Sequence, residues 1–158
     1  MVKALPVITS RSTRVPPIMI SRHALCAIWC SVGGRPAESG GILLGPIGTD
    51  RITDFYFDAS AQCTRGSYSP DHPTLRRKMQ EQWMPAGLDM RGFCHSHPAH
   101  IDELSGGDLE YIGRLLARNT DMSFFAAPII LPGHFRFCPI VVLRGQPKVQ
   151  LATTLSIF

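Results

Sequence analysis

His95-Ser96-His97-Pro98-Ala99-His100-Ile101-Asp102-Glu103-Leu104-Ser105-Gly106-Gly107-Asp108 is the stretch from which the rest of the chain can be read. Met90 to His97 reads as a strand and Pro98 ends it. Side chains on a strand alternate with period two, so His95 and His97 share one face. Two imidazoles side by side are half of a zinc site. Asp108 falls just inside a helix from Ser105 to Arg118, whose apolar stripe is Leu109, Ile112, Leu115 and Leu116. The intervening loop, Pro98 to Leu104, can fold that carboxylate back toward the histidines. Two histidines and a carboxylate leave one position of a tetrahedral zinc open, as catalytic sites do. Each half also has an ordinary reading. A histidine pair on a strand is more often packing or surface, and Ser105-x-x-Asp108 is a capping-box pattern. Together they make one constellation, in which capping would hold Ser105 and Asp108 at the mouth of the site.

Outward from this stretch the elements alternate. Ser21 offers an N-cap to a helix with Leu25, Ile28, Trp29 and Val32 at helical spacing, stopped by Gly33-Gly34. Gly40 to Gly45 is a short buried strand, and Arg51 to Asp58 is its hairpin partner. Ala59 to Thr74 reads as a long loop, and Leu75 to Met84 as a helix. Phe124 to Leu131 and Phe135 to Leu143 read as strands around Pro132-Gly133, with a last strand near Val149 to Leu155. The expectation is an α/β domain, a mixed sheet flanked by about three helices, over residues 18–158. Residues 1–17 read as an N-terminal lead.

Composition bounds the function. The 158 residues are 44% hydrophobic and 18% charged, which excludes a disordered chain. A net charge of +4, scattered rather than striped, argues against nucleic acid as a partner. No apolar run reaches the ~20 residues of a membrane span, and the N-terminus lacks a secretion signal's apolar centre. Five cysteines, an odd number with no C-x-x-C pair, suit reduced thiols and a cytoplasmic protein. Cys26 and Cys30, four apart on the first helix, are read as buried thiols. Cys94 precedes His95 and so points away from the site, which excludes a Cys94-His95 nucleophile pair. The chain has neither H-E-x-x-H nor the P-C-x-x-C element of the zinc deaminases. His23, His72 and His134 have no partner at ligand spacing, and His100 reads as an exposed loop residue.

The string HSHPAHIDELSGGD resembles, without a gap, the H-[ST]-H-x7-S-x-x-D signature of the JAMM (MPN+) metalloprotease family. Glu38-Ser39-Gly40-Gly41-Ile42-Leu43-Leu44-Gly45 is similar to the glutamate-led, glycine-flanked strand that the family carries upstream. The resemblance runs from about Pro17 to about Leu143. It implies an MPN-type, cytidine-deaminase-like fold with one Zn2+ per chain, bound by His95, His97 and Asp108. It implies Glu38 as general base and Ser105 as the group that stabilises the oxyanion. Glu81 and Glu110 fit helical surfaces. Glu103, in the loop between the ligands, is the rival base, and Glu38 is preferred for its family-like setting. The family's insertion at about Ala59 to Thr74 implies that residues near Tyr68 contact substrate.

Members with the intact motif hydrolyse peptide or isopeptide bonds after the C-terminal tail of ubiquitin or a ubiquitin-like protein. The resemblance therefore implies a zinc isopeptidase whose partner is a ubiquitin-like protein or its conjugates. Because long flanking regions are missing, the expectation is a stand-alone prokaryotic member. It would work beside the enzymes of a ubiquitin-like conjugation system from the same operon, or in an antiviral operon. Two rivals stand beside this reading: a peptidase acting on a small substrate or a sulfur-carrier tail, and a non-catalytic MPN scaffold.

Overall fold

Gly40-Gly41-Ile42-Leu43-Leu44 is apolar on both sides of a pleat, so as a strand it must be covered on both faces. The computed structural model, which describes residues 14–64 and 66–158, covers it so. In chain order the elements are β1 (Ile18–Ile20), α1 (Arg22–Ser31), β2 (Gly40–Pro46), β3 (Arg51–Ile52), β4 (Asp54–Phe57), β5 (Gln62–Thr64) and β6 (Ser67–Ser69). There follow α2 (His72–Lys78), β7 (Leu88–Ser96), α3 (Gly106–Arg118), β8 (Phe124–Ala126), β9 (Ile129–Leu131), β10 (Arg136–Cys138), β11 (Ile140–Leu143), β12 (Gln150–Ala152) and β13 (Leu155–Ile157). The main sheet is mixed. β2 lies antiparallel between β4 and β7, and β7 runs parallel to β8 and β9.

The alternation of side chains sorts two cores. Leu43, Cys94, Ala126, Ile130 and Val141 face α1 and pack with Ala24, Ile28 and Val32. Ile42, Leu44, Phe93, Phe125, Ile129 and Leu131 face the other way and pack with Leu75, Trp83, Ile112 and Leu116. Each fully buried residue of this size contributes about 1.5–3 kcal/mol of hydrophobic stabilisation. His95 and His97 continue the alternation from Phe93, so the register that builds the second core also aims both imidazoles toward α3.

Several expectations are corrected. The stretch 59–74 is not a plain loop: it holds the β5–β6 hairpin and the start of α2, which Asp71 caps. That helix begins at His72 and ends in a π-helical turn, Met79–Trp83. Pro128 and Pro139 lack an N–H for the ladder and break each of the two C-terminal strands in two. Ile18–Ile20 forms a strand, pairing in parallel with β13 and β3. Cys26 and Cys30 are exposed rather than buried, because Ala24, Ile28 and Val32 take the inward face of α1. Among the described residues, no helix is long and apolar enough to cross a membrane. Of the N-terminal lead, residues 1–13 lie outside the described residues.

Candidate metal centre

Three elements deliver the site. The end of β7 supplies His95 and His97, both buried. The first turn of α3 supplies Asp108, and the residues just before β2 supply Glu38. Helix α3 starts where it does because Ser105 and Asp108 complete a reciprocal cap. The Asp108 N–H donates to Ser105 Oγ (3.1 Å), while the Ser105 N–H and hydroxyl both donate to Asp108 Oδ2 (2.8 Å each). Such a cap is worth about 1 kcal/mol and fixes the carboxylate as well. Leu104, buried just ahead of the cap, is clamped to the Gln150 side chain by its own N–H and carbonyl. Glu38 is held from both sides: its N–H donates to the Thr64 carbonyl, and the neighbouring Ser39 carbonyl accepts from the Ser96 N–H.

The donor atoms converge. His95 Nε2 and His97 Nε2 are 2.7 Å apart, and Asp108 Oδ2 lies 3.6 and 3.9 Å from them. A Glu38 oxygen and a ring nitrogen from each histidine all fall within 4.8 Å of one another. Ligands bound at ~2.0–2.2 Å to one zinc can stand at most roughly 4 Å apart, so the His95–His97–Asp108 triangle fits one ion. The ring chemistry points the same way. His97 Nδ1 lies 3.1 Å from the Ile101 carbonyl, which can only accept, so the proton sits on Nδ1 and Nε2 keeps its lone pair. A bare nitrogen facing another at 2.7 Å requires a proton or a cation between them. Two imidazoles with carboxylates suit zinc.

The electrostatics favour metal-binding forms. Burial holds the His97 pKa below the ordinary histidine value, and the adjacent His95 adds to this, so the neutral ring is preferred. Burial alone would raise the Asp108 pKa. The His95 hydrogen bond and charge, with the two Ser105 donors, outweigh it and bring the carboxyl down to about 2. Glu38 goes the other way. Burial raises its pKa and the charge of Asp108 adds to the rise, with His95 opposing. Two carboxylates facing the same histidines are thereby pushed apart in basicity, one toward a ligand and one toward a proton acceptor.

A cleft of about 640 Å³ opens over these groups. Ser67, Tyr68 and Ser69 of β6 form one wall and Asp108, Tyr111 and Arg114 of α3 the other, with Glu38 and His97 also lining it. All five sequence-chosen residues, Glu38, His95, His97, Ser105 and Asp108, come together here. The Ser105 hydroxyl is committed to Asp108, so a role at an oxyanion requires it to leave that carboxylate. Glu103 lines the same cleft, exposed, and is outside the group of converging donors. Sequence reasoning missed His72 and Tyr111, which stack edge-on at 5.4 Å against the cleft. It also missed Asp58, a buried carboxylate behind Tyr68. Asp58 follows a strand in a polar stretch without period, and only its place at the end of β4 hinted at it.

Solved structures share the fold, two of them as follows. A solution structure of a protein from Desulfitobacterium hafniense is 17% identical, with a TM-score of 0.63, over 89% of this chain and 93% of that one. The crystal structure of a JAB1/MPN domain protein from Archaeoglobus fulgidus is 16% identical, with a TM-score of 0.51, over 90% of this chain and 98% of that one. No curated protein matches. The sequence profile of the prokaryotic homologs of the JAB domain matches residues 20–146, a span that holds every residue of the centre, and the chain belongs to that family.

Proposed function

We propose that the protein is a zinc-dependent isopeptidase or peptidase that hydrolyses the bond after the C-terminal tail of a ubiquitin-like protein. The observation that carries this reading is the convergence of His95, His97 and Asp108, with Glu38 beside them, in an open cleft. Zinc bound by the two histidines and Asp108 would lower the pKa of a water to roughly 7 and polarise the scissile carbonyl. Glu38, its pKa raised, takes a proton from the attacking water and passes it to the departing amine. A C–O bond forms, the C–N bond breaks, and the proton leaves with the nitrogen. The Ser105 hydroxyl, once released from Asp108, donates to the developing oxyanion. The outer edge of β6 has no strand partner among the described residues and runs along the cleft, which suits backbone pairing with an extended tail. In this reading the partners are the ubiquitin-like protein, its conjugates and the enzymes that make them.

The test is cleavage of a ubiquitin-like protein carrying a C-terminal extension, by the unaltered protein and by Glu38→Gln. Glutamine keeps the shape but cannot accept the proton, so the rate should fall ~10²–10⁴-fold. Zinc content should hold, and the inactive variant should still capture the conjugate. Near-normal cleavage by the variant would move the base to Glu103, and loss of zinc would make Glu38 a ligand. If the unaltered protein cleaves no such fusion, including one from its own operon, the reading fails.

A further inference from the structure

Metal-binding histidines ordinarily hydrogen-bond through their second ring nitrogen, which sets the ring's orientation. His97 does so, to the Ile101 carbonyl. His95 does not: its buried Nδ1 has no hydrogen-bond partner among the described residues. Packing must orient this ring instead. Tyr68 stacks on it at 5.9 Å and 23°, with Phe93 tilted against it at 5.2 Å.

Tyr68 is itself held. Gly40 pairs with His95 across β2 and β7, and the Asp58 N–H donates to the Gly40 carbonyl, so Asp58 and His95 flank a residue that has no side chain. A Cβ there would stand 2.8 Å from His95 Cβ and 3.1 Å from Tyr68 Cζ, so the slot is already filled by the two side chains. The Tyr68 hydroxyl donates to Asp58 Oδ2 (3.3 Å), and the same oxygen accepts the Asp71 N–H (3.0 Å). Asp58 is 2% exposed and forms no ion pair among the described residues. A buried carboxylate without a cation is costly, and here its bonds tie β6 and the start of α2 to the end of β4.

We infer that Tyr68, braced by Asp58, is a positioning residue for His95. It fastens the β5–β6 wall of the cleft to a metal ligand, so that metal occupancy and order in this hairpin rise and fall together. The inference rests on the zinc site proposed above. Coupling of this kind is reciprocal: a hairpin that steadies the ligand is itself steadied when the metal binds.

The test uses the full chain with Tyr68→Leu and Tyr68→Phe. Zinc affinity is measured against a chromophoric chelator, the visible spectrum of the cobalt-substituted protein is recorded, and amide exchange in residues 62–64 and 67–69 is followed with and without zinc. In the unaltered protein, zinc should slow exchange in the hairpin. Tyr68→Leu should bind zinc about tenfold more weakly, shift the cobalt bands and lose the zinc-dependent protection. Tyr68→Phe keeps the stacked ring but frees Asp58, and should lose about threefold. Parental affinity, spectrum and protection in a folded Tyr68→Leu would overturn the inference while leaving the zinc site intact. Should Tyr68→Leu not fold, Tyr68→Phe decides, and full affinity with full protection there would overturn the brace. An unaltered protein that binds no zinc would overturn the site and the inference together.

Discussion

At Gly40 a single methyl group is enough to disturb the centre. A Cβ would come within 2.8 Å of the Cys94 carbonyl oxygen and of His95 Cβ. The carbonyl belongs to the β2–β7 ladder and cannot retreat without loosening it. Gly40→Ala should therefore cost about 1–3 kcal/mol of stability. Urea denaturation measures this, and an alanine variant with the parental midpoint would contradict the packing described. His95, His97 and Asp108 were legible in the sequence because short-range rules place them: period two on a strand, and a cap at a helix start. The need for glycine at 40 was not legible. It arises where residues from β2, β7 and β6 meet, and no local pattern records such a meeting.

Among the elements, α1 and α3 are legible in the sequence because their apolar stripes are long and their caps, Ser21 and Ser105, are explicit. The β5–β6 hairpin is not, since its three-residue strands lie in a polar stretch with no apolar alternation. Helical spacing also explains the correction at the cysteines. With Ala24, Ile28 and Val32 inward, positions 26 and 30 fall on the outer side of α1. Thiol titration followed by mass mapping should find Cys26 and Cys30 reacting readily in the native protein. Cys63 is also exposed, but partial burial and the nearby carboxylates of Asp58 and Glu38 raise its pKa. Less of it is thiolate at a given pH, so it should react more slowly. Cys94 and Cys138 are buried and should react only in denaturant. Modification of Cys94 in the native state would contradict the register of β7.

For the molecule as a whole, the fold is carried by two apolar clusters on opposite faces of one sheet, and the centre sits where β7 leaves them. The domain does not depend on a metal for its core, unlike chains that fold only when loaded. Under the proposed zinc mechanism, losing the metal should therefore abolish activity and leave the secondary structure in place. The mixed sheet flanked by helices followed from the strand and helix alternation in the sequence. The pairing of β1 with β13 joins opposite ends of the described chain, a contact that local reading does not reach. The central claim is that His95, His97 and Asp108 hold one zinc, and elemental analysis of purified protein beside folded His97→Ala tests it most directly. The account predicts one zinc per chain in the unaltered protein and none in the variant, with circular dichroism unchanged. Stoichiometric zinc in His97→Ala, or another metal or none in the unaltered protein, would contradict it.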